Sequence, residues 1–302
     1  MRLIGDTNIP FVPKRRAFFV LSAVLMLASI VTFIVRGGFN YGVDFTGGSL
    51  LEVRFSQPVS TDAVRSALAA IGEGGASIQR EERGDFLIRA KPRETGGGRE
   101  TFATVVNRQF ATSFPGNKFE ILREETVGPQ VSKELQGKVL LAVFLGLIGI
   151  LIYVSFRFDF RFGMGAVLSL VHDTTITLGF VCLFNKEVTI TVIAAVLTMI
   201  GYSVNDSIVV SDRIREDARK MRKESWFDVV NQAINKTLSR TFVTSLTVLF
   251  VTLALLIFGA ASIKDFAFVM TVGTVVGTYS SIFIVANFVV EWEKRFPSKR
   301  RR

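Results

Sequence analysis

Six apolar runs of bilayer length, at 17–35, 138–156, 163–184, 190–211, 241–259 and 266–290, constrain this chain more than anything else in it. A helix of about 20 such residues crosses the hydrocarbon core, and only a helix or a closed barrel satisfies its own backbone there. Residues 36–137 separate the first run from the second, whereas the later runs follow one another closely. The spacing predicts a polytopic α-helical membrane protein arranged as 1+5. One helix precedes a domain outside the bilayer, and a five-helix bundle at 138–290 follows it. A hydrophobic content of 49% and a mean hydropathy of +0.41 agree with that class.

Lys14, Arg15 and Arg16 precede the first run in the manner of a signal-peptide n-region. The run is long, however, and ends in Arg36-Gly37-Gly38 with no small-x-small cleavage pattern, so it reads as an uncleaved anchor. With residues 1–16 placed in the cytoplasm, cytoplasmic segments hold 20 of the 36 Lys and Arg, and the short external loops hold one each, Lys186 and Lys264. Loop 212–240 and tail 291–302 carry most of that excess. The net charge of +10 is therefore an orientation signal and not a footprint for nucleic acid. Both termini are expected in the cytoplasm and residues 36–137 in the periplasm. Cys182, the one cysteine, lies inside an apolar run, so it reads as a small buried thiol without disulfide or metal spacing.

Between the first two runs, Ser49–Phe55 alternates apolar and polar residues as a strand does. Ser60-Thr61-Asp62 offers caps for a helix over Ala63–Ile71. Ile78–Glu82 and Phe86–Lys91 flank a turn at Arg83-Gly84-Asp85, Thr101–Phe114 carries a helical apolar stripe, and Phe119–Leu122 reads as a last strand. The order β-α-β-β-α-β predicts an α+β, ferredoxin-like sandwich. Arg93–Glu100, with three glycines, lacks the strand, helix and Lys-Ser/Thr pair of a phosphate loop and reads as a flexible connection. The domain has neither His nor Cys, so no nucleophile–histidine pair can form in it.

Two of the apolar runs contain an acid. Asp173 sits mid-run and Asp206 near the end of 190–211. An ionised carboxylate in hydrocarbon costs roughly 2.5–3.5 kcal/mol on insertion scales, so such a residue is hidden, paired or wetted by a pathway. Ser169 and Thr177 share a helix face with Asp173, and His172 adjoins it. That histidine is either a proton-handling group or a satisfied hydrogen-bonding one. Tyr202, Ser203, Asn205, Asp206 and Ser207 form a polar girdle, and the 241–259 run enters from the same side behind Arg240, with Thr241, Thr244 and Thr247. Arg240 reaches Asp206 only if those helices are neighbours. The pair is then either a static ion pair or one whose withdrawal lets the acid take a proton.

Several motifs taken together resemble the SecF family, the six-helix subunits of bacterial SecD–SecF export complexes and relatives of the resistance-nodulation-division transporters. They are Tyr41-Gly42-Val43-Asp44-Phe45-Thr46-Gly47-Gly48, Val127-Gly128-Pro129, His172-Asp173, Ser203-Val204-Asn205-Asp206, Asp212-Arg213-Ile214-Arg215-Glu216 and Thr237-Leu238-Ser239-Arg240-Thr241. Ser132 and Ser211 depart from the family pattern, which favours Gly and an aromatic there. The resemblance implies an accessory role in protein translocation across the inner membrane, driven by the proton motive force, without covalent catalysis, metal or cofactor beyond protons as coupling ion. Asp206 and Arg240 match the family's proton-pathway pair, and Asp173 its other membrane acid. His172, Asn205, Tyr202 and Thr244 would lend polar support, with Asp44, Gly47 and Gly48 in a periplasmic motif. Implied partners are SecD, the SecYEG channel, SecA indirectly, unfolded preprotein, YajC, YidC and membrane lipid. Half of a proton-driven small-molecule or lipid exporter, and a non-conducting scaffold, are the rival readings.

Overall fold

The computed structural model describes residues 7–80, 84–91, 100–157, 159–221 and 223–297. The chain divides into two units, Tyr41–Leu140 and the remainder. The expected turn residue Arg83, the end of the expected strand at Glu82, and Gly96-Gly97-Gly98 lie outside the described residues.

In the first unit, strands β1 (Gly48–Phe55), β2 (Ser77–Arg80), β3 (Phe86–Ala90) and β4 (Phe119–Val127) pair in the order β2-β3-β1-β4, every pairing antiparallel. Ser60 and Thr101 cap the two helices over Thr61–Ala69 and Phe102–Ser113 by accepting from Ala63 N and Thr104 N, each at 3.2 Å. These helices and one sheet face bury Leu51, Val53, Val64, Leu68, Phe86, Ile88, Val106 and Phe110. On the other face Leu50 and Leu87 are covered by Val43, from a one-turn helix over Val43–Thr46 that the sequence reading did not anticipate. Asp85, buried at the start of β3, takes a bidentate pair from Arg54 at 2.7 and 2.8 Å, which holds the guanidinium above its ordinary pKa.

Gly47 and Gly48 turn the chain from that one-turn helix into β1, with φ of 68° and 115°. A Cβ on Gly48 would stand 2.3 Å from the Ala90 carbonyl oxygen, a contact against backbone that cannot swing away. Gly48→Ala combines left-handed strain with overpacking and is expected to destabilise the sheet unit by about 3 kcal/mol. The readout is thermal unfolding of the full-length protein in detergent, and an unchanged midpoint would contradict the strand pairing at Ala90.

The second unit holds α1 (Arg15–Val35), most of α2 (Pro129–Arg157), α3 (Phe160–Leu183), α4 (Ile190–Lys220), α5 (Trp226–Phe258) and α6 (Ala261–Ser280). The last helix does not end at Ser280. It passes through a π-helical segment, Ser281–Val285, into α7 (Ala286–Arg295). Among the described residues six helices are long and apolar enough to cross a membrane. Helices α3, α4 and α6 bury about half of their apolar spans, whereas α2 leaves Leu140, Leu141, Phe144, Leu145 and Phe156 exposed, the pattern of a helix bathed in lipid.

Glycines bring the buried helices close. The Cβ missing at Gly179 of α3 would lie 2.2 Å from Ser29 Oγ of α1, and that at Gly273 of α6 would lie 2.1 Å from Met199 Cγ of α4. A Cβ on Gly277 would lie 3.2 Å from Ser203 Cβ, so the missing side chain seats α6 closely on Ser203.

The charged segment 212–240, expected as a loop, is almost wholly helical. Helix α4 runs to Lys220 and α5 starts at Trp226. Side-chain pairs carry the helices past the apolar runs: Lys220–Glu216 at 2.5 Å, Arg213–Glu216 at 3.2 Å and, between the two helices, Lys236–Asp217 at 2.9 Å. Ser225 then caps α5 by accepting from Asp228 N. At the same end Arg157 bonds Asp212 and Arg161 bonds Glu293. Asn231 and Asn235 of α5 hold the segment before α1 through Phe11 N at 2.8 Å and Ile9 N at 2.9 Å.

Candidate functional site

Both acids in the apolar runs are buried, and each is met by hydroxyl groups from neighbouring helices. Asp173 on α3 is completely excluded from solvent. Its Oδ2 accepts from Ser203 on α4 at 2.5 Å and from Ser280 on α6 at 2.7 Å, while Oδ1 lies 2.8 Å from His172 Nδ1. Ser169, one turn before Asp173, donates to Ser280 at 2.8 Å and so orients its hydroxyl. An ionised carboxylate accepts all of these bonds at once, and such charge-assisted bonds offset part of the cost of burying it.

His172 contributes one nitrogen to the acid and leaves the other bare. Nε2 is buried without a hydrogen-bond partner, and the ring stacks on Tyr279 with centroids 5.9 Å apart. Beside an ionised Asp173, Nδ1 must be the donor; beside a protonated one, it can accept. The pair thus holds a proton in either of two places without changing its geometry. Tyr279 donates to the Phe18 carbonyl at 3.0 Å and meets Ser22 at 3.1 Å, which ties the site to α1.

Asp206 on α4 is nearly as buried. Thr241 of α5 donates to Oδ1 at 3.0 Å and Ser281 donates to Oδ2. Arg240 precedes Thr241 but is exposed, and it forms neither a hydrogen bond nor an ion pair with Asp206. The helix neighbours that a static pair requires are present, yet hydroxyls occupy the carboxylate instead. Tyr202 donates to Ser245 at 2.7 Å, which in turn meets Thr278 at 2.7 Å, in a hydroxyl chain from α4 through α5 to α6. Asn205 and Thr244 are exposed, and Thr244 bonds its own helix carbonyls. Asp44, Gly47 and Gly48 belong to the sheet unit, where they shape the entry to β1.

The structure adds two residues that the sequence reading passed over. Ser280 and Ser281 are consecutive, and each donates to a different acid. The signal was available, because Tyr279-Ser280-Ser281 interrupts an apolar run as Asp173 and Asp206 interrupt theirs. The π-helical turn that begins at Ser281 has no comparable signature in composition. Turns of this kind inside α-helices concentrate at functional positions. Among the described residues no group of His, Cys, Asp and Glu is arranged to hold a metal ion.

Comparison with known proteins follows the same lines. The sequence profile of the family described as protein export membrane protein SecD/SecF, C-terminal, matches residues 106–295, and that of the SecD/SecF GG motif matches residues 32–59, which contain Gly47 and Gly48. The chain is 41% identical over 287 residues to the protein translocase subunit SecF of Calditerrivibrio nitroreducens, covering 94% of each sequence. It is also 41% identical over 287 residues to the protein translocase subunit SecDF of Thermus thermophilus, covering 92% of this chain and 38% of that longer one. The crystal structure of SecDF from Thermus thermophilus, described as a translocon-associated membrane protein, superposes with a TM-score of 0.84 at 39% identity, over 96% of this chain and 39% of that one.

Proposed function

The chain belongs to the SecD/SecF family of protein-export membrane proteins as an accessory subunit of the Sec translocase, and we propose that it uses the proton motive force to advance preprotein at the outer face of the inner membrane. What supports the reading is one observation. Two buried carboxyl groups on adjacent membrane helices are each held by hydroxyls, with His172 besides at Asp173 and, among the described residues, no Lys or Arg bonded to either. Protonated, such a carboxyl group is neutral in hydrocarbon; ionised, its charge is offset in part by the donated hydrogen bonds and further by a cation that approaches. Asp206 is the proposed proton acceptor, Asp173 with His172 a second acceptor, and Arg240 a charge that approaches Asp206 in another state of the cycle. Protons serve as the coupling ion, and no covalent chemistry or cofactor enters.

The family's fused members, which join SecD and SecF in one chain, support SecD as the partner. The exposed apolar side chains of α2 suit either such a partner or lipid. Contacts with the SecYEG channel and the preprotein, and indirectly with SecA, complete the proposed assembly. The excess of Lys and Arg at 1–16, 212–240 and 291–302 supports cytoplasmic termini. Residues 36–137 then form the periplasmic domain, a ferredoxin-like one in view of its β-α-β-β-α-β order and its sheet order.

The test uses vesicles carrying the translocase with its SecD partner, with and without this chain, and an ionophore to collapse the gradient. Gradient-stimulated export is expected only where the chain is present. Equal stimulation without it would reduce the chain to a scaffold. Proton flux stimulated by a small amphiphile in the absence of preprotein would favour an exporter.

A further inference from the structure

The mechanism above treats Asp173 and Asp206 as two acceptors, but the structure ties both to one short stretch of backbone. Ser280 and Ser281 project about 100° apart on the helix, as consecutive residues must, so that one faces α3 and the other α4. Each hydroxyl has one proton and two acceptors within reach. Ser280 chooses between Asp173 and the Gly277 carbonyl at 3.1 Å, and Ser281 between Asp206 and the Thr278 carbonyl at 3.0 Å. An ionised carboxylate accepts the hydroxyl's hydrogen bond strongly; a protonated one accepts it more weakly, which frees the hydroxyl to donate to the backbone carbonyl.

The backbone at this point is itself in an altered register. The π segment starts at Ser281, so residues beyond it are offset by one position from an uninterrupted α-helix. Relaxation of the π turn to α geometry rotates Ser281 and all that follows relative to Ser280. Ser280 is fixed on its other side by Ser169 and by the seat of Gly277 on Ser203. The two serines therefore sit at the junction of α and π geometry, where each hydroxyl reaches both a carboxylate and a backbone carbonyl.

We propose that Ser280 and Ser281 are positioning residues that couple the two carboxyl groups, so that protonation of one changes the proton affinity of the other through the π segment between them. This inference deepens the proton-coupling reading of the same site. The titratable and charged groups around the pair are His172 and Tyr279 at Asp173 and Arg240 beside Asp206. None of them bridges the two acids; the serines do.

The full-length chain in lipid vesicles is titrated while the carboxyl C=O stretch is followed by infrared difference spectroscopy, with Asp173→Asn and Asp206→Asn assigning the two bands. Ser281→Ala is expected to shift the titration midpoint of Asp206 by about one pH unit, the size of one lost hydrogen bond to a charged group, and to move the Asp173 midpoint as well. Ser280→Ala should do the reciprocal. Thr241→Ala, which touches Asp206 from α5 alone, should move Asp206 and leave Asp173 in place. Ser281→Thr keeps the hydroxyl and should leave both midpoints in place, and Ser281→Cys, whose thiol is only a weak donor, should move them in the same direction as Ala. The proposal is overturned if Ser281→Ala or Ser281→Cys shifts Asp206 alone, as Thr241→Ala does. Coupling that persists while export ignores the gradient would overturn the function proposed above and not this linkage.

Discussion

Asp206→Asn is expected to remove the gradient-stimulated part of export while leaving the gradient-independent part intact. The amide has nearly the shape of the acid, so Thr241 keeps an acceptor at the position of Oδ1. Ser281 then faces the amide donor at the Oδ2 position, and its hydroxyl can accept from that amide while donating to the Thr278 carbonyl. Packing on α4 should therefore survive, and what disappears is the ability to exchange a proton. The measurement is preprotein protected from protease in vesicles, with and without an imposed gradient, normalised to assembled complex. A tenfold or greater fall in the stimulated component is the expected size, equivalent to about 1.4 kcal/mol or more of lost coupling. Full stimulation in Asp206→Asn would end the proposal that this acid carries the coupling proton. A fall in complex abundance with normal activity per complex would point to a scaffold.

Gly179→Val should detach α1 from the bundle. Any side chain at 179 meets Ser29 Oγ at 2.2 Å, Cβ at 2.3 Å and Cα at 2.8 Å, and the last of these is backbone on the facing helix. Neither helix can yield without breaking the contacts that Ser22 and Phe18 make with Tyr279. Overpacking of this kind costs about 1–3 kcal/mol where neighbours adjust and more where backbone must move. About 3 kcal/mol or more is expected here, read as a lower thermal midpoint of the full-length protein in detergent. Ser29→Gly on the facing helix removes two of the three clashing atoms and should restore a large part of the loss. Undiminished stability in the single variant would mean that α1 does not pack at Gly179.

The spans were legible because a run of apolar residues longer than any buried strand has few other uses, and Asp173 and Asp206 stood out against that background. The caps at Ser60 and Thr101 were visible as hydroxyl residues before an apolar periodicity. What sequence could not supply was where each helix stops. Asp212 to Lys220 and Trp226 to Arg240 read as polar loop because apolar content falls, yet pairs such as Lys220–Glu216 and the cap at Ser225 sustain helix without it. Nor did spacing reveal what Asp206 would touch. Arg240 was the obvious counter-charge, but the choice between it and the neutral donors Thr241 and Ser281 depends on side-chain direction and on the π turn, which are settled only in three dimensions.

The unbroken course of α4 has a mechanical consequence. Fourteen residues separate Asp206 from Lys220 on one helix, about 21 Å at the usual rise. Lys236 grips Asp217 near its far end, so α5 must swing with it. A tilt of about ten degrees at the acid carries that tip about 4 Å sideways, by the lever arm the rise defines. On such a rigid arm, any tilt of α4 at the carboxyl group would be several times larger in displacement at Lys220 than at Asp206.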